Sequence, residues 1–191
     1  MSNYFSYFPS VEHDLKQDGS AITVTNILKR FKIHDDARDK TEVFYAYQLQ
    51  DGDRPDIVAE KYYGNGNYAW IVLFSNNIVD PVKEWPLYGT DFRNYLISKY
   101  GSIELANTTV KNRYKVLSAA FKKIDGTIIP KRRLEIDETT YNTLSEADKE
   151  FQTAYEYEVE VNDDKRKIHL IDSSYLSVIT DQVENILRTT V

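Results

Sequence analysis

The chain has 191 residues, 41% of them hydrophobic and 28% charged, with a net charge of −6. That length suits one moderate domain, or a small domain with extensions, and the acidic balance opposes non-specific binding to nucleic acid or an anionic membrane. With no cysteine in the chain, disulfides, thiolate metal sites and cysteine nucleophiles are excluded.

Residues 1–20 are aromatic, then polar, without helical or strand periodicity. Tyr4, Phe5, Tyr7 and Phe8 are too close in sequence to bury one another, so they either dock on the rest of the chain or insert into a partner. The first residues lack the basic start and continuous apolar stretch of a secretory signal, which predicts a protein that begins in the cytosol. Thr25 reads as the N-cap of a short helix with Ile27, Leu28 and Phe31 on one side. His34–Lys40 reads as a polar linker.

Val43–Gln50 has the aromatic and β-branched content of a strand and ends at Asp51-Gly52-Asp53. Pro55 suits the first position of a helix that runs to about Tyr63, with Asp53 or Asp56 complementing its dipole. Gly64-Asn65-Gly66 stops that helix, and Asn67 is placed to cap the next. Tyr68–Phe74 is an unbroken apolar run; its flanking asparagines favour a helix over a buried strand. Asp80-Pro81 and Trp85-Pro86 then impose extended or turn geometry.

Thr90 is positioned to cap a helix over 91–100, with Phe92, Tyr95, Leu96 and Lys99 on one face and Gly101 as its stop. Residues 108–136 read as strands, with Asp125-Gly126 turning a hairpin. Thr143 and Glu146 have capping-box spacing for a helix to about Thr153. In Tyr155–Val161 the apolar residues alternate strictly with Glu156, Glu158 and Glu160, which predicts a strand paired in a hairpin with Arg166–Ile171. A last helix, 174–188, carries the stripe Leu176, Ile179, Val183, Ile186 and Leu187. The fold class expected is α+β. Four segments follow: an arm with a short helix (1–42), a central module (43–88), a helix–hairpin–helix extension (89–154) and a terminal hairpin plus helix (155–191).

Chemistry leaves few traces. The three histidines, His13, His34 and His169, are scattered and have no metal-ligand spacing. Gly64-Asn65-Gly66-Asn67 lacks the Gly-Lys-Ser/Thr ending of a phosphate loop, and Asp51, Asp53 and Asp56 lack the glycine and glutamate of a calcium loop. No catalytic residue, metal ligand or cofactor is expected. The fifteen tyrosines and eight phenylalanines instead favour buried protein interfaces.

The central segment resembles a LysM module through Gly52-Asp53, Ala59, Tyr62-Tyr63-Gly64, Trp70 and Asn76-Asn77. That resemblance implies a βααβ module, and many such modules bind N-acetylglucosamine polymers through two loops, here Gly52–Pro55 and Asn76–Val79. Arg54-Pro55 stands where Thr-Leu or Ser-Leu is usual, and Trp85-Pro86-Leu87-Tyr88 stands in place of the usual closing strand. Arg54-Pro55-Asp56, Ala59, Tyr63-Gly64-Asn65, Trp70, Asp80-Pro81 and Trp85 together are similar to the small LysM-bearing baseplate wedge subunits of T-even-type contractile phages. This second resemblance implies a structural virion protein, assembled in host cytoplasm, that contacts the large wedge core protein and the lysozyme-like sheath-initiating wedge protein and helps join neighbouring wedges in a sixfold ring. No nucleic acid or membrane partner is implied. Tyr4, Phe5, Tyr7, Phe8, Leu176, Ile179, Val183 and Ile186 are the candidate partner contacts, with the arm dispensable for folding of the module. The alternative is a peptidoglycan- or chitin-binding LysM protein.

Overall fold

A computed structural model of the protein describes residues 4–28 and 43–189. In chain order the strands are β1 (Ser10–His13), β2 (Ile22–Thr25), β3 (Phe44–Gln48), β4 (Val110–Ser118), β5 (Phe121–Lys122), β6 (Ile128–Ile129), β7 (Arg132–Ile136), β8 (Lys149–Thr153) and β9 (Lys167–Ile171). The helices are α1 (Pro55–Tyr63), α2 (Ala69–Ser75), α3 (Pro81–Glu84), α4 (Gly89–Tyr100), α5 (Ile103–Thr108), α6 (Glu138–Thr143), α7 (Ala154–Asp164) and α8 (Leu176–Thr189). This is the mixed helix-and-strand composition expected. The chain divides into two compact units, Met1–Trp85 with Arg166–Val191, and Pro86–Lys165.

The first unit is built on one antiparallel pair, β3 with β9, in the register Phe44 opposite Ile171 and Tyr47 opposite Ile168. Because side chains alternate across a strand, this register sends Phe44 and Ile171 to one face and Tyr47, Ile168 and Leu170 to the other. The two faces join different cores. Ile171 packs with Tyr7, Phe8, Trp70, Ile71, Val183 and Leu187. Ile168 and Leu170 pack with Leu49, Val58, Ala59, Val72 and Trp85. The arm is therefore part of the hydrophobic interior. Its 3-10 turn, Tyr4–Tyr7, leads into the β1–β2 ribbon, and Thr25 ends β2 rather than capping a helix. Phe31 and the linker lie outside the described residues.

Helix α1 follows its local signals. Pro55 opens it, Asp56 sits in its first turn, and Gly64 at φ 70° closes it with its N–H on the Glu60 carbonyl. The cap of the next turn is Asn65, whose side chain accepts from the Asn67 N–H at 3.0 Å; Asn67 itself is not the cap. Helix α2 buries Trp70, Ile71, Val72 and Ser75, which is why its sequence lacks a polar face. Asp80 caps the short helix α3 through the Val82 N–H at 3.1 Å, and Trp85, which precedes Pro86, is extended at ψ 146°. A four-residue helical turn thus stands where extended or turn geometry was expected. Residues 43–88 hold only one strand, and the strand opposite it comes from β9, more than a hundred residues later.

In the second unit β4 is the centre of a three-stranded antiparallel sheet, β7-β4-β8. The hairpin at Asp125-Gly126 forms as expected: Gly126 has φ 88°, and the Lys123 N–H donates to the Thr127 carbonyl at 2.8 Å. Helix α5, capped by Ser102 through the Leu105 N–H at 3.1 Å, had no expectation behind it. Residues 149–153 form β8, not the end of a helix, and the capping box is Thr153 with Glu156 rather than Thr143 with Glu146. The strand expected over 155–161 is helix α7, so β9 has no hairpin partner there. The cap starts the helix, and a spacing of four puts Ala154, Glu158 and Asn162 on its buried side. The Asn162 amide exchanges hydrogen bonds with the backbone of Leu87, at 2.8 and 2.9 Å.

Candidate interaction site

The two loops of the first unit where the LysM resemblance would place a glycan are held by internal bonds. Gly52 adopts φ 86°, which turns the chain so that Asp53 points inward. The buried Asp53 carboxylate accepts from Lys61 Nζ at 2.6 Å, the Gln50 N–H at 2.9 Å and the Tyr47 hydroxyl at 3.3 Å. The Trp85 indole N–H donates to the Asp53 carbonyl at 2.8 Å, tying α3 to the loop. Burial pushes the Asp53 carboxyl up, but Lys61 and the Gln50 N–H together bring it below the usual carboxylate range. Arg54 lies outside, beside Asp56 at 3.2 Å. Asp80 is half-buried and paired with Lys83 at 3.1 Å.

The second loop is fastened to β9. Asn76 accepts from the His169 N–H at 2.8 Å and donates to the His169 and Val72 carbonyls at 2.9 and 2.8 Å. Ser75 Oγ reinforces this at 2.7 Å from the His169 carbonyl. The side chain of Asn76 thus acts as a surrogate strand residue at the end of α2. Tyr63 adds a bond to the Ile171 carbonyl at 2.9 Å, and burial raises its hydroxyl pKa. Replacing Asn76 by alanine orphans the half-buried His169 N–H. The expected loss is about 1–3 kcal/mol in urea unfolding; a value within 0.5 kcal/mol, on the order of surface substitutions, would show that the clamp contributes little.

Of the signature residues, Ala59, Trp70 and Trp85 are buried. Pro55 and Gly64 bound α1. The candidate contact residues divide. Tyr7, Phe8 and Val183 are buried in this chain's own core, and Tyr4, Leu176 and Ile179 pack against it. Tyr4 stacks on Trp70 with ring centroids 5.2 Å apart. Phe5 and Ile186 remain outward, at 55% and 53% exposure.

A polar node in the second unit escaped the sequence reading. Glu158, buried at 3% exposure, accepts from the Tyr95 hydroxyl at 2.8 Å, Lys99 Nζ at 2.8 Å and the Tyr100 hydroxyl at 2.7 Å. Burial raises its carboxyl pKa, and the three donors overcome this, leaving it depressed. The same burial, with the Glu158 bond, pushes the Tyr100 hydroxyl up to about 12. Since Glu158 titrates lower when folded, its stabilising effect is present above the unfolded value of about 4.3 and is lost as pH falls through the depressed one. Glu158→Gln should therefore flatten the fall in urea midpoint between pH 5 and pH 3; an unchanged slope would place the acid sensitivity elsewhere. The cue in sequence was the Tyr95/Lys99 pair at helical spacing, but its acceptor lies 59 residues beyond Lys99.

Among the described residues no group of histidine and carboxylate side chains is arranged to hold a metal ion, and no helix is long and apolar enough to cross a membrane. Residues 3–124, well over half of the chain, match the phage family described as Base plate wedge protein 53. The chain belongs to that family. No curated protein matches it. Membership in base plate wedge protein 53 makes this a phage protein of the tail baseplate, with a structural role and association with other baseplate components. The family match covers the arm, β1–β2, α1, α2 and the start of the second unit. It is consistent with bonds at the loops that serve the fold.

Proposed function

We propose that this wedge protein joins the large wedge core protein and the lysozyme-like sheath-initiating wedge protein in the inner baseplate of a contractile tail, and links neighbouring wedges into a sixfold ring assembled in host cytoplasm. The family match is the observation that carries the reading. The anchor is a LysM-like βααβ arrangement of β3, α1, α2 and β9, in which residues 86–165 are inserted ahead of the closing strand. Two features support a scaffold over a glycan-binding use of it. The polar groups of Asp53 and Asn76, at the two loops where sugar would lie, are occupied by Lys61, Gln50 and the backbone of His169. Exposed Phe5 and Ile186 leave apolar surface for protein partners.

Co-expression with the other wedge proteins tests the reading. The expected outcome is a large particle containing this chain, sixfold in electron micrographs; a chain that never enters it would overturn the proposal. Calorimetric titration with chitin or peptidoglycan oligomers should give no binding heat, whereas micromolar affinity would transfer the function to cell-wall recognition.

A further inference from the structure

Two exposed β elements, one in each unit, have complementary composition. The first is the β5–β6 hairpin, with strands of two residues each. Phe121, Ile124 and Ile128 are 54%, 109% and 70% exposed there, although an isolated two-stranded hairpin is marginal without apolar cover. The segment 119–131 carries Lys122, Lys123 and Lys131 against the single acid Asp125. Lys131 is held by Glu150 at 2.6 Å. Neither Lys122 nor Lys123 has an acidic partner among the described residues, while Arg113, Arg133 and Lys149 in the same unit all do. Asp125 accepts from the Thr127 N–H at 2.9 Å within the turn. The hairpin is thus an apolar, basic finger on an acidic protein.

The second element is the β1–β2 ribbon. Its register pairs Val11 with Val24 and His13 with Ile22 on one face, and Ser10 with Thr25 and Glu12 with Thr23 on the other. Val11, Ile22 and, in the connecting loop, Leu15 are exposed. This segment, residues 10–25, reverses the charge balance of the hairpin: Glu12, Asp14 and Asp18 against the single base Lys16. The loop is preformed, with Asp14 accepting from the Gly19 N–H at 2.7 Å and Asp18 from the Ser20 N–H at 2.9 Å. It therefore offers an acidic, apolar surface at low ordering cost.

We propose that the β5–β6 hairpin of one molecule docks on the β1–β2 ribbon of a second copy of this chain. Apolar residues of the hairpin cover the Val11 and Ile22 face of the ribbon, and Lys122 and Lys123 meet Asp14 and Asp18 of its connecting loop, Glu12 lying on the opposite face. Since two different surfaces are used, the contact is head-to-tail and repeats from copy to copy. It is argued from the chain alone and goes beyond the assignment to the wedge. Charge complementarity of this kind makes the association salt-sensitive.

Sedimentation equilibrium of the purified full chain, from about 5 to about 500 µM, reads the contact. At about 50 mM salt the average mass should rise with concentration, and at about 500 mM the rise should shrink. The double variant Lys122→Glu with Lys123→Glu should weaken association at least about tenfold. Lys16→Glu, which adds an acid to the exposed ribbon loop, should strengthen it severalfold. These opposite shifts come from exposed side chains, so a folding defect does not produce both. A chain that stays monomeric throughout overturns the proposal, as does self-association that ignores all three substitutions. So does a monomer whose hairpin lysines instead bind vesicles of anionic lipid. If the monomer still enters the co-expressed particle, the wedge reading survives without the contact.

Discussion

Replacing Trp70 by alanine should lower the unfolding free energy by about 3–5 kcal/mol, the range for deleting a large aromatic from a core. The indole lies in the core shared by the arm, α2, β9 and α8. Tyr4 stacks on it, Tyr7 and Phe74 tilt against it at 5.9 and 6.3 Å, and Ile71 beside it is fully buried. Urea unfolding followed by tyrosine absorbance or circular dichroism gives the number, since Trp85 remains as the only other tryptophan. A loss below about 1 kcal/mol, the mean for point substitutions in general, would mean that Trp70 is not the keystone of that core.

The arm should behave as core. The double substitution Tyr7→Ala with Phe8→Ala removes two buried rings and should cost about 4–6 kcal/mol, somewhat less than two separate aromatic deletions because the neighbouring cavities merge. Combined with Trp70→Ala, the losses should fall short of additive, since all three rings occupy one cluster. If the double variant unfolded like the parent, the arm would be free to leave the module. It would then be available to a partner, as the sequence alone allowed.

These two expectations mark where local sequence signals stopped. Helix α1 was legible to the residue because Pro55 and Gly64 fix its ends by backbone conformation alone. The Asp125-Gly126 turn was legible for the same reason, and so was α8, whose stripe Leu176, Ile179, Val183 and Leu187 recurs at helical spacing. Ile186, counted in that stripe, sits toward its edge and stays exposed. Some failures were local, since the Thr153/Glu156 capping box stood in the sequence unread; the others were set by distant partners. The alternation of Tyr155–Val161 is a strand pattern, yet Glu158 is stabilised by Tyr95, Lys99 and Tyr100, and nothing in 155–161 announces those donors. A buried glutamate on a helix is indistinguishable from an exposed one on a strand until its cation is placed. Likewise, β3 shows its strand character but not its mate. The candidate site was legible as a set of turn and cap residues. The clamps that immobilise it, from Lys61 to Asp53 and from Asn76 to His169, join helices to a loop and to a late strand.

The pairing of β3 with β9 also sets a timetable. During synthesis the chain from Pro86 to Lys165 forms a contiguous unit and can fold as soon as it emerges, whereas β3 waits for residues 167–171. Trp70 waits further, for Val183 and Leu187. Closing so long a loop slows folding, but it also means that a chain cut short before β9 leaves both cores open. Such a fragment exposes Trp70, Ile71 and Val72 together and is open to proteolysis. Only molecules translated through Leu187 of α8 can complete the first unit.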